Sequence, residues 1–424
     1  MRGVFGDPGQ QRIPVCRACW RGDCGDQNGN VSLLGVHEEL ANEPQTNAVR
    51  LCRLEAASNI GGKPGDGVHD TTRIRARVQS TRRVRAVAIV GVPTCRMREL
   101  ASLPKGHLHL HLEAGMRPST LADLAARYDM VMPTIRGYGS FAAFSEMYVA
   151  AVAVLRGPQD WERLADEICE DHVADGAVYL EPSFWAGNYQ SSFPSDRHCW
   201  EFVLDTFQAA AERHGITIRF MAAVDRVQDT PEEAERLAQQ AIGLMDRGVV
   251  SFGLHNDEVG HPPQDFVSAF ARAKAGGLLI TPHAGELEDA TFVRDSIELL
   301  DADRIQHGVR SFELPGLVEQ IAAAGICLDV CPTSNIMLGV FPSLAEHPLP
   351  RLLAAGVRCS VNGDDPLLFG PGILDEYELC RQQLGLDDEQ LAFVARCSIE
   401  SGGAPDGVKA AALDGIARWL ATET

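Results

Sequence analysis

The chain has 424 residues, of which 45% are hydrophobic and 23% charged, and its formal net charge at pH 7 is −20. This composition is typical of a globular protein with a sizeable core, and the chain contains no apolar run long enough to span a bilayer. The strong negative charge argues against a general nucleic-acid binder, whose surface is normally basic. We therefore expect neither a nucleic-acid nor a membrane partner.

Charge divides the chain into two unequal parts. Residues 1–98 hold 15 lysines and arginines against 9 acidic residues, a net charge of +6, whereas residues 99–424 hold 23 against 49, or −26. Residues 1–98 are also rich in Gly, Pro, Asn, Gln and Arg and show no sustained helical or strand periodicity. We expect them to form a disordered extension, or to be a segment that is not normally translated, with translation starting near Met97.

Cysteine usage bears on both the extension and the compartment. Cys16, Cys19 and Cys24 suggest a metal knuckle, but the fourth ligand is missing at the usual spacing, which makes this the weaker interpretation of the extension. The first thirty residues lack the apolar stretch of a secretory signal. Twelve cysteines in such a chain indicate free thiols rather than a disulfide framework, and we expect a cytoplasmic protein.

From residue 103 onward the chain repeats a strand followed by a helix. The intervening segments have helical apolar spacing, and Thr230-Pro231-Glu-Glu has the composition of a helix start. Eight candidate strands are Gly106–His111, Ala177–Glu181, Thr217–Ala223, Val249–Leu254, Leu278–His283, Arg304–His307, Ile326–Val330 and Arg358–Asn362. The pattern predicts an α/β fold with a (β/α)8 TIM-type barrel and insertions over residues 99–424.

A doubly wound open sheet is the alternative fold for this alternation. It does not explain why polar clusters follow at least five of the candidate strands, since a barrel gathers the carboxyl ends of all its strands around one site. The barrel is therefore the preferred prediction.

The run that ends in His109-Leu110-His111 is the first of these clusters. Alternate residues of a strand project to the same face, so the two imidazoles are expected side by side, which is half of a zinc site. His283 and Asp364 end two later strands and complete a set of three imidazoles and one carboxylate. We predict one zinc ion per chain on these four residues.

Two further residues suit acid–base work beside such a metal. His307 is an imidazole that can accept or orient a proton near neutral pH, and Glu286 is a carboxyl that can donate one if its pKa is raised. Asp365 follows Asp364 directly, so its side chain diverges and is expected to face a substrate, although a turn-capping role before Pro366 is the alternative. Glu113 is expected to be a substrate contact.

Taken in order, these motifs resemble the adenosine deaminases of the metal-dependent amidohydrolase superfamily. The resemblance covers about Leu103 to Leu420 and is carried by Leu-Pro-Lys, His-x-His-Leu-Glu, Asn-Asp-Glu (256–258), His-Ala-Gly-Glu, His-Gly, Val-Cys-Pro-Thr-Ser-Asn (330–335) and Asp-Asp-Pro. It implies zinc on the four residues named above, and Glu286 as the proton donor to purine N1. It also implies His307 as the partner of the zinc-bound hydroxide, Asp365 as the contact to N7 and Glu113 as the contact to a ribose hydroxyl.

The chain departs from the family pattern at positions that touch the substrate. Asn256 stands where the family has a glycine whose backbone approaches purine N3, and with Asp257 it is expected to hold the ring in plane. The resemblance implies hydrolytic deamination of adenosine or 2′-deoxyadenosine to inosine or 2′-deoxyinosine plus ammonia. The alternatives are a deaminase of adenine or aminofutalosine, another zinc hydrolase on the same barrel, and a non-catalytic purine-binding relative.

Overall fold

The computed structural model describes residues 97–131 and 141–422. Eleven parallel strand segments form the centre of this part of the chain. They are β1 Lys105–His107, β2 Ala177–Leu180, β3 Ser183–Phe184, β4 Thr217–Ile218, β5 Phe220–Asp225, β6 Val249–His255, β7 Leu279–Ile280, β8 His283–Ala284, β9 Arg304–His307, β10 Cys327–Val330 and β11 Arg358–Val361.

The strand segments close into a barrel of eight parallel strands. β2 with β3, β4 with β5, and β7 with β8 are each one barrel strand in two segments, and every strand pairs with its neighbours along the chain. Closure is made where Leu110 bridges Asp364 in the parallel sense, which joins the first strand to the last, while His111 bridges Ser183 and extends the pairing of the first strand with the second. The predicted (β/α)8 barrel is confirmed, and an open doubly wound sheet is excluded because the first and last strands meet.

Two of the predicted strands, Thr217–Ala223 and Leu278–His283, are interrupted in the structure, and the first predicted strand ends early. Pro182 separates β2 from β3 and Pro282 separates β7 from β8, since proline has no N–H to donate to the ladder. The first strand ends at His107 rather than His111, because the side-chain Oδ1 of Asn362 accepts the N–H groups of Leu108 and His109 at 2.8 and 3.1 Å. The chain nevertheless continues beside its neighbours, so His111 still reaches the end of the barrel.

Helices cover the outside of the barrel. They are α1 Pro118–Arg127, α2 Phe141–Ala153, α3 Pro158–Ala174, α4 Asp196–His214, α5 Pro231–Ile242, α6 Val267–Ala275, α7 Ala290–Leu300, α8 Leu317–Ala324, α9 Pro332–Met337, α10 Leu349–Ala354, α11 Pro366–Phe369, α12 Ile373–Gln382, α13 Asp388–Glu400 and α14 Asp406–Ala421. Single 3₁₀ turns lie at Leu100–Ser102, Leu112–Gly115, Ala186–Tyr189, Met245–Arg247, Pro263–Phe266, Ser311–Glu313 and Leu344–Glu346.

The start of α5 shows how the sequence sets a helix boundary. Thr230 Oγ1 accepts the N–H of Glu233 at 3.2 Å, and the Glu233 carboxylate accepts the N–H of Thr230 at 2.8 Å. This reciprocal capping box, with Pro231 at the first helical position, satisfies two donors that a helix end otherwise leaves free. The helix start predicted from the sequence is confirmed.

A fully buried ion-pair network fills part of the barrel interior. Arg304 on β9 lies 2.8 Å from the carboxylate of Glu181 and 2.9 Å from that of Asp329 on β10. Ser251 and Ser360 donate to the same two carboxylates at 2.7 and 2.6 Å. Because polar groups buried away from water must be paired, the network ties five barrel strands to one another.

The extension lies almost wholly outside the described residues. The predictions of disorder in residues 1–98 and of a metal knuckle at Cys16, Cys19 and Cys24 therefore concern residues that the structure does not describe, apart from Met97 and Arg98. Only Met97 and Arg98 of that segment are described, and Arg98 bonds Asp388 at the start of α13 at 2.8 Å and two carbonyls at the end of α14. Among the described residues, no helix combines the length and apolar character needed to cross a bilayer.

Candidate active site

The four residues predicted to hold a metal lie together at the carboxyl end of the barrel. His109 and His111 follow β1, His283 begins β8, and Asp364 follows β11. His109 Nε2 lies 3.0 Å from His283 Nε2 and 3.1 Å from Asp364 Oδ1, and His111 Nε2 lies 3.3 Å from the same oxygen. All four groups are buried apart from part of His111.

Each of the three imidazoles is held by its other nitrogen. His109 Nδ1 donates to the carbonyl oxygen of Asp329 at 3.2 Å, and His283 Nδ1 donates to that of Leu254 at 3.1 Å. His111 Nδ1 lies 3.1 Å from Ser183 Oγ, which itself donates to the Leu110 carbonyl. Since a carbonyl only accepts, Nδ1 carries the hydrogen and Nε2 presents its lone pair to the centre, which is the form that ligates a metal.

Asp364 completes the donor set. Burial alone would raise the pKa of its carboxyl, but the imidazoles of His109 and His111 hold that pKa well below the usual range. Its Oδ1 faces those two histidines, while its Oδ2 lies 3.9 Å from His307 Nε2. Ligand atoms of His109, His283, His307 and Asp364 all lie within 4.8 Å of one another, so His307 also borders the candidate metal position.

Backbone strain is concentrated at this site. Five non-glycine residues among those described have positive φ, and three of them are Asn256, His307 and Asp364, with φ of 76°, 64° and 60°. A left-handed conformation costs such residues about 1–3 kcal/mol each, and it persists only where surrounding contacts enforce it. At His307 and Asp364 the strained backbone directs the side chain into the barrel mouth.

Glu286, the second acid–base candidate, lies beside His307. Its Oε2 is 3.3 Å from His307 Nε2, and its Oε1 is buried without a hydrogen-bond partner. Burial and the charge of Asp364 raise the pKa of Glu286 well above the usual carboxyl range. The preceding Gly285 has φ of 69°, and a Cβ there would lie 2.4 Å from Val293, so only glycine fits this turn.

Glu258 positions the loop that carries Glu286. Its Oε2 accepts the backbone N–H groups of residues 286, 287 and 288 at 3.1, 2.7 and 2.8 Å. Three donors converging on one carboxylate oxygen form an anion-binding nest that fixes the backbone of the loop. The sequence analysis quoted Glu258 within a motif but gave it no role, because residues 258 and 286 are distant in sequence.

A cavity of about 730 Å³, counting its open mouth, lies directly above these groups. Its polar lining includes Glu286, His307 and Asp365, whose Oδ1 is also buried without a partner. Burial and the adjacent Asp364 raise the pKa of Asp365 well above the usual range. Two carboxyl groups with unpartnered oxygens therefore face one cavity next to the candidate metal position, as a site prepared for a polar ligand would require.

The other predicted substrate contacts are placed differently. Asn256 lines the cavity, with its amide nitrogen 2.8 Å from a carboxylate oxygen of Asp225. Asp257 is half-buried and does not line it. Glu113 is fully buried behind the wall, where the hydroxyls of Tyr148 and Tyr189 donate to its two oxygens at 2.8 and 2.9 Å.

Sequence reasoning missed several residues that shape this site. Tyr148, Trp185, Asn188 and Gln228 line the cavity but belong to segments without a motif. Asn335 contacts His307, and its only signal was the Val-Cys-Pro-Thr-Ser-Asn motif, for which no role had been assigned. Such contacts join segments far apart in the chain, so they become visible only in the fold.

The match to known proteins agrees with this geometry. The adenosine deaminase family model matches residues 104–419. A putative adenosine/adenine deaminase from Streptomyces virginiae is 40% identical over 334 residues, covering 76% of this chain and 98% of that protein. The crystal structure of an adenine deaminase from Arthrobacter aurescens has a TM-score of 0.70 at 30% identity, covering 76% of this chain and 100% of that one. A zinc-bound amidohydrolase from Burkholderia ambifaria has a TM-score of 0.67 at 26% identity, over 76% and 93% of the two chains. The chain therefore belongs to the adenosine deaminase family.

Proposed function

We propose that this protein is a zinc-dependent hydrolase that replaces the amino group at C6 of a 6-aminopurine with oxygen. Water and the aminopurine are consumed, and the 6-oxopurine and ammonia are released. The observation that carries the proposal is the meeting of three inward-facing imidazole nitrogens and one aspartate oxygen with the unpartnered oxygens of Glu286 and Asp365 at the end of one cavity.

The donor set suits zinc. Three neutral imidazoles and a carboxylate are ligands that zinc takes in hydrolytic sites, where a further position stays open to water. Burial lowers the pKa of His283 well below the usual value, which keeps this imidazole in its neutral, ligating form. Zinc bound by His109, His111, His283 and Asp364 would supply a Lewis acid that lowers the pKa of water from 15.7 to about 7.

Glu286 is assigned the proton donor to N1 of the purine ring. The side chain lines the cavity, its Oε1 has no hydrogen-bond partner, and its burial favours the protonated acid at neutral pH. Protonating N1 as oxygen adds to C6 relieves the negative charge that would otherwise build up on the ring. The Glu258 nest holds this acid in place, so Glu286 does not need to be reoriented during the reaction.

We assign His307 to the attacking oxygen at C6 and Asp365 to N7 of the purine ring. His307 Nε2 points toward Asp364 and Glu286, where it can orient the attacking oxygen. Asp365 is assigned the contact to N7, an acceptor that requires a hydrogen donor, and its raised pKa keeps a proton on the carboxyl. We assign Asn256, which lines the cavity, to the opposite edge of the purine ring; Asp257, which does not line the cavity, is assigned no contact to the ring.

Among the candidate purines, one observation favours free adenine over adenosine. The resemblance assigns the position of Glu113 to a ribose hydroxyl contact, but here both carboxylate oxygens accept tyrosine hydroxyls and the group does not line the cavity. A ribose would therefore lack its acidic partner in this wall. We place adenine first, with adenosine, 2′-deoxyadenosine and aminofutalosine as the alternatives.

A substrate panel tests this ranking. We expect kcat/KM to be highest for adenine, and we expect Glu113→Asp to raise the ratio of adenosine to adenine turnover, because the shorter acid withdraws from Tyr148 and Tyr189. Loss of ultraviolet absorbance of the aminopurine and release of ammonia are measured together. A wild-type preference for adenosine would contradict the ranking, and no turnover of any aminopurine would contradict the proposed reaction itself.

A further inference from the structure

A chain of buried hydrogen bonds leads away from the cavity behind His307. His307 Nδ1 lies 3.2 Å from the amide nitrogen of Asn335 on α9, and the Asn335 amide oxygen lies 3.2 Å from His347 Nε2. The N–H of Leu349, at the start of α10, donates to His347 Nδ1 at 3.4 Å. All three polar side chains are at least 97% buried, so water does not compete for these bonds.

The N–H of Leu349, at the end of the network farthest from His307, determines which group donates in each of these hydrogen bonds. A backbone N–H only donates, so His347 Nδ1 accepts, and the hydrogen of a neutral His347 is on Nε2. His347 Nε2 then donates to the Asn335 amide oxygen, and the Asn335 amide nitrogen donates to His307 Nδ1. Burial lowers the pKa of His347 to about 4, which keeps this imidazole neutral.

His307 is thereby distinguished from the other imidazoles of the site. His109 and His283 donate from Nδ1 to carbonyl oxygens, and their Nε2 lone pairs face the centre. His307 instead accepts at Nδ1, so its hydrogen is on Nε2, the nitrogen that faces Glu286 and Asp364. If the donor and acceptor of each bond were exchanged, an N–H of His347 would face the N–H of Leu349. Two donors would then meet without an acceptor.

We propose that Asn335 and His347 are positioning residues that hold His307 as the Nε2–H tautomer, so that it donates a hydrogen bond into the site instead of ligating the metal. The proposal deepens the function proposed above, on which its kinetic part rests. It explains why His307, whose ring lies beside those of His109 and His283, is not assigned to the metal. It also gives a role to an asparagine and a histidine that lie outside the cavity.

Asn335→Asp is the sharpest test, because the two side chains have the same shape but the carboxylate only accepts. It reverses the bond to His307 and should move the hydrogen to Nδ1. Zinc content should stay close to wild type, whereas the thermal midpoint should fall, because a carboxylate replaces a neutral amide in a fully buried position. We expect kcat to fall by about 10²–10³, the usual loss when one donor to a developing charge is removed, with little change in KM. Asn335→Ala should lose kcat without imposing the Nδ1–H tautomer.

Two substitutions of His347, to glutamine and to alanine, form a matched pair. They test the proposal even if Asn335→Asp does not fold. Glutamine at this position can accept from Leu349 through its oxygen and donate to Asn335 through its nitrogen, so His347→Gln should keep most of the kcat. His347→Ala should lose it at unchanged zinc content. Equal kcat in these two variants would overturn the role of His347.

The tautomer is read directly on the zinc-loaded protein without substrate. Proton–nitrogen correlation spectra of histidine-labelled protein, with the His307 signals identified through His307→Gln, should show the hydrogen on Nε2 in the wild type and on Nδ1 in Asn335→Asp. A wild-type hydrogen on Nδ1 would overturn the proposal. Because this readout needs no turnover, failure of the proposed deamination would leave the tautomer result standing and is distinguishable from failure of this inference.

Discussion

Replacing Arg304 with methionine should destabilise the barrel strongly. The guanidinium is fully buried, bonds the carboxylates of Glu181 and Asp329 at 2.8 and 2.9 Å, and donates to the Ser401 carbonyl at 3.1 Å. Methionine fills a similar volume but leaves two carboxylates buried without a counter-charge. Breaking a buried ion pair by removing one partner costs about 3–5 kcal/mol.

The expected loss can be measured as a thermal midpoint and a free energy of unfolding. For a domain of this size, 1 kcal/mol corresponds to about 2–4 °C, so Tm should fall by about 6–20 °C. Far-UV circular dichroism in a thermal scan and a urea titration provides both quantities. Arg236→Met is the matched control, because Arg236 is exposed and lies 3.7 Å from Glu233; it should change stability by less than about 0.5 kcal/mol.

The pH dependence of the Arg304→Met defect has a definite sign. Burial alone would raise the pKa of Glu181, but Arg304 holds it below the usual value in the folded protein. A depressed folded pKa adds stability above the unfolded pKa, and this contribution is lost as pH falls through the folded pKa. Without Arg304 the carboxylates take up protons at higher pH, so the defect should shrink from about pH 8 to about pH 5. A loss below about 1 kcal/mol at pH 8, or a defect that grows on acidification, would refute the reasoning.

Three further predictions concern the site and the extension. Glu286→Gln should keep zinc and bind aminopurine but lose several orders of magnitude in kcat, because only proton donation is removed. Single-turnover kinetics and metal analysis measure these effects. Turnover within about tenfold of wild type would exclude Glu286 as the donor. His283→Ala should lose zinc in elemental analysis, whereas stoichiometric metal retained in the variant would rule out this ligand. A chain that starts at Met97 keeps every candidate ligand and the bond from Arg98 to Asp388, so its Tm and kcat/KM should match those of the full chain. A Tm that is lower by more than about 5 °C would show that residues 1–96 contribute to stability.

The barrel could be predicted from the sequence because its elements are signalled locally. Arg304–His307 has the same bounds in the structure as in the prediction, since this strand is short and uninterrupted. The first strand was predicted too long because its ladder is interrupted by the side chain of Asn362, which is distant in sequence. Pro182 and Pro282 were visible in the sequence, but they break the ladder without ending the barrel strand.

The position of the candidate metal residues could also be predicted, while the groups that support them could not. His109, His283 and Asp364 each follow or begin a strand, and a barrel brings strand ends together. The role of Glu258 arises from three backbone N–H groups, which carry no side-chain signal. The burial of Glu113 depends on Tyr148 in α2, a helix that folds over the cavity. Such contacts depend on packing rather than on local pattern.

The central claim is zinc-dependent deamination of an aminopurine, and reversible metal removal tests it most directly. Zinc-loaded protein is incubated with adenine, and ammonia and 6-oxopurine are quantified before chelation, after chelation and dialysis, and after one equivalent of zinc is restored. The account predicts equal amounts of the two products, loss of turnover in the metal-free protein and recovery with zinc. Deamination that continues at full rate in metal-free protein, or zinc-loaded protein that releases neither product from adenine, adenosine, 2′-deoxyadenosine or aminofutalosine, would contradict it.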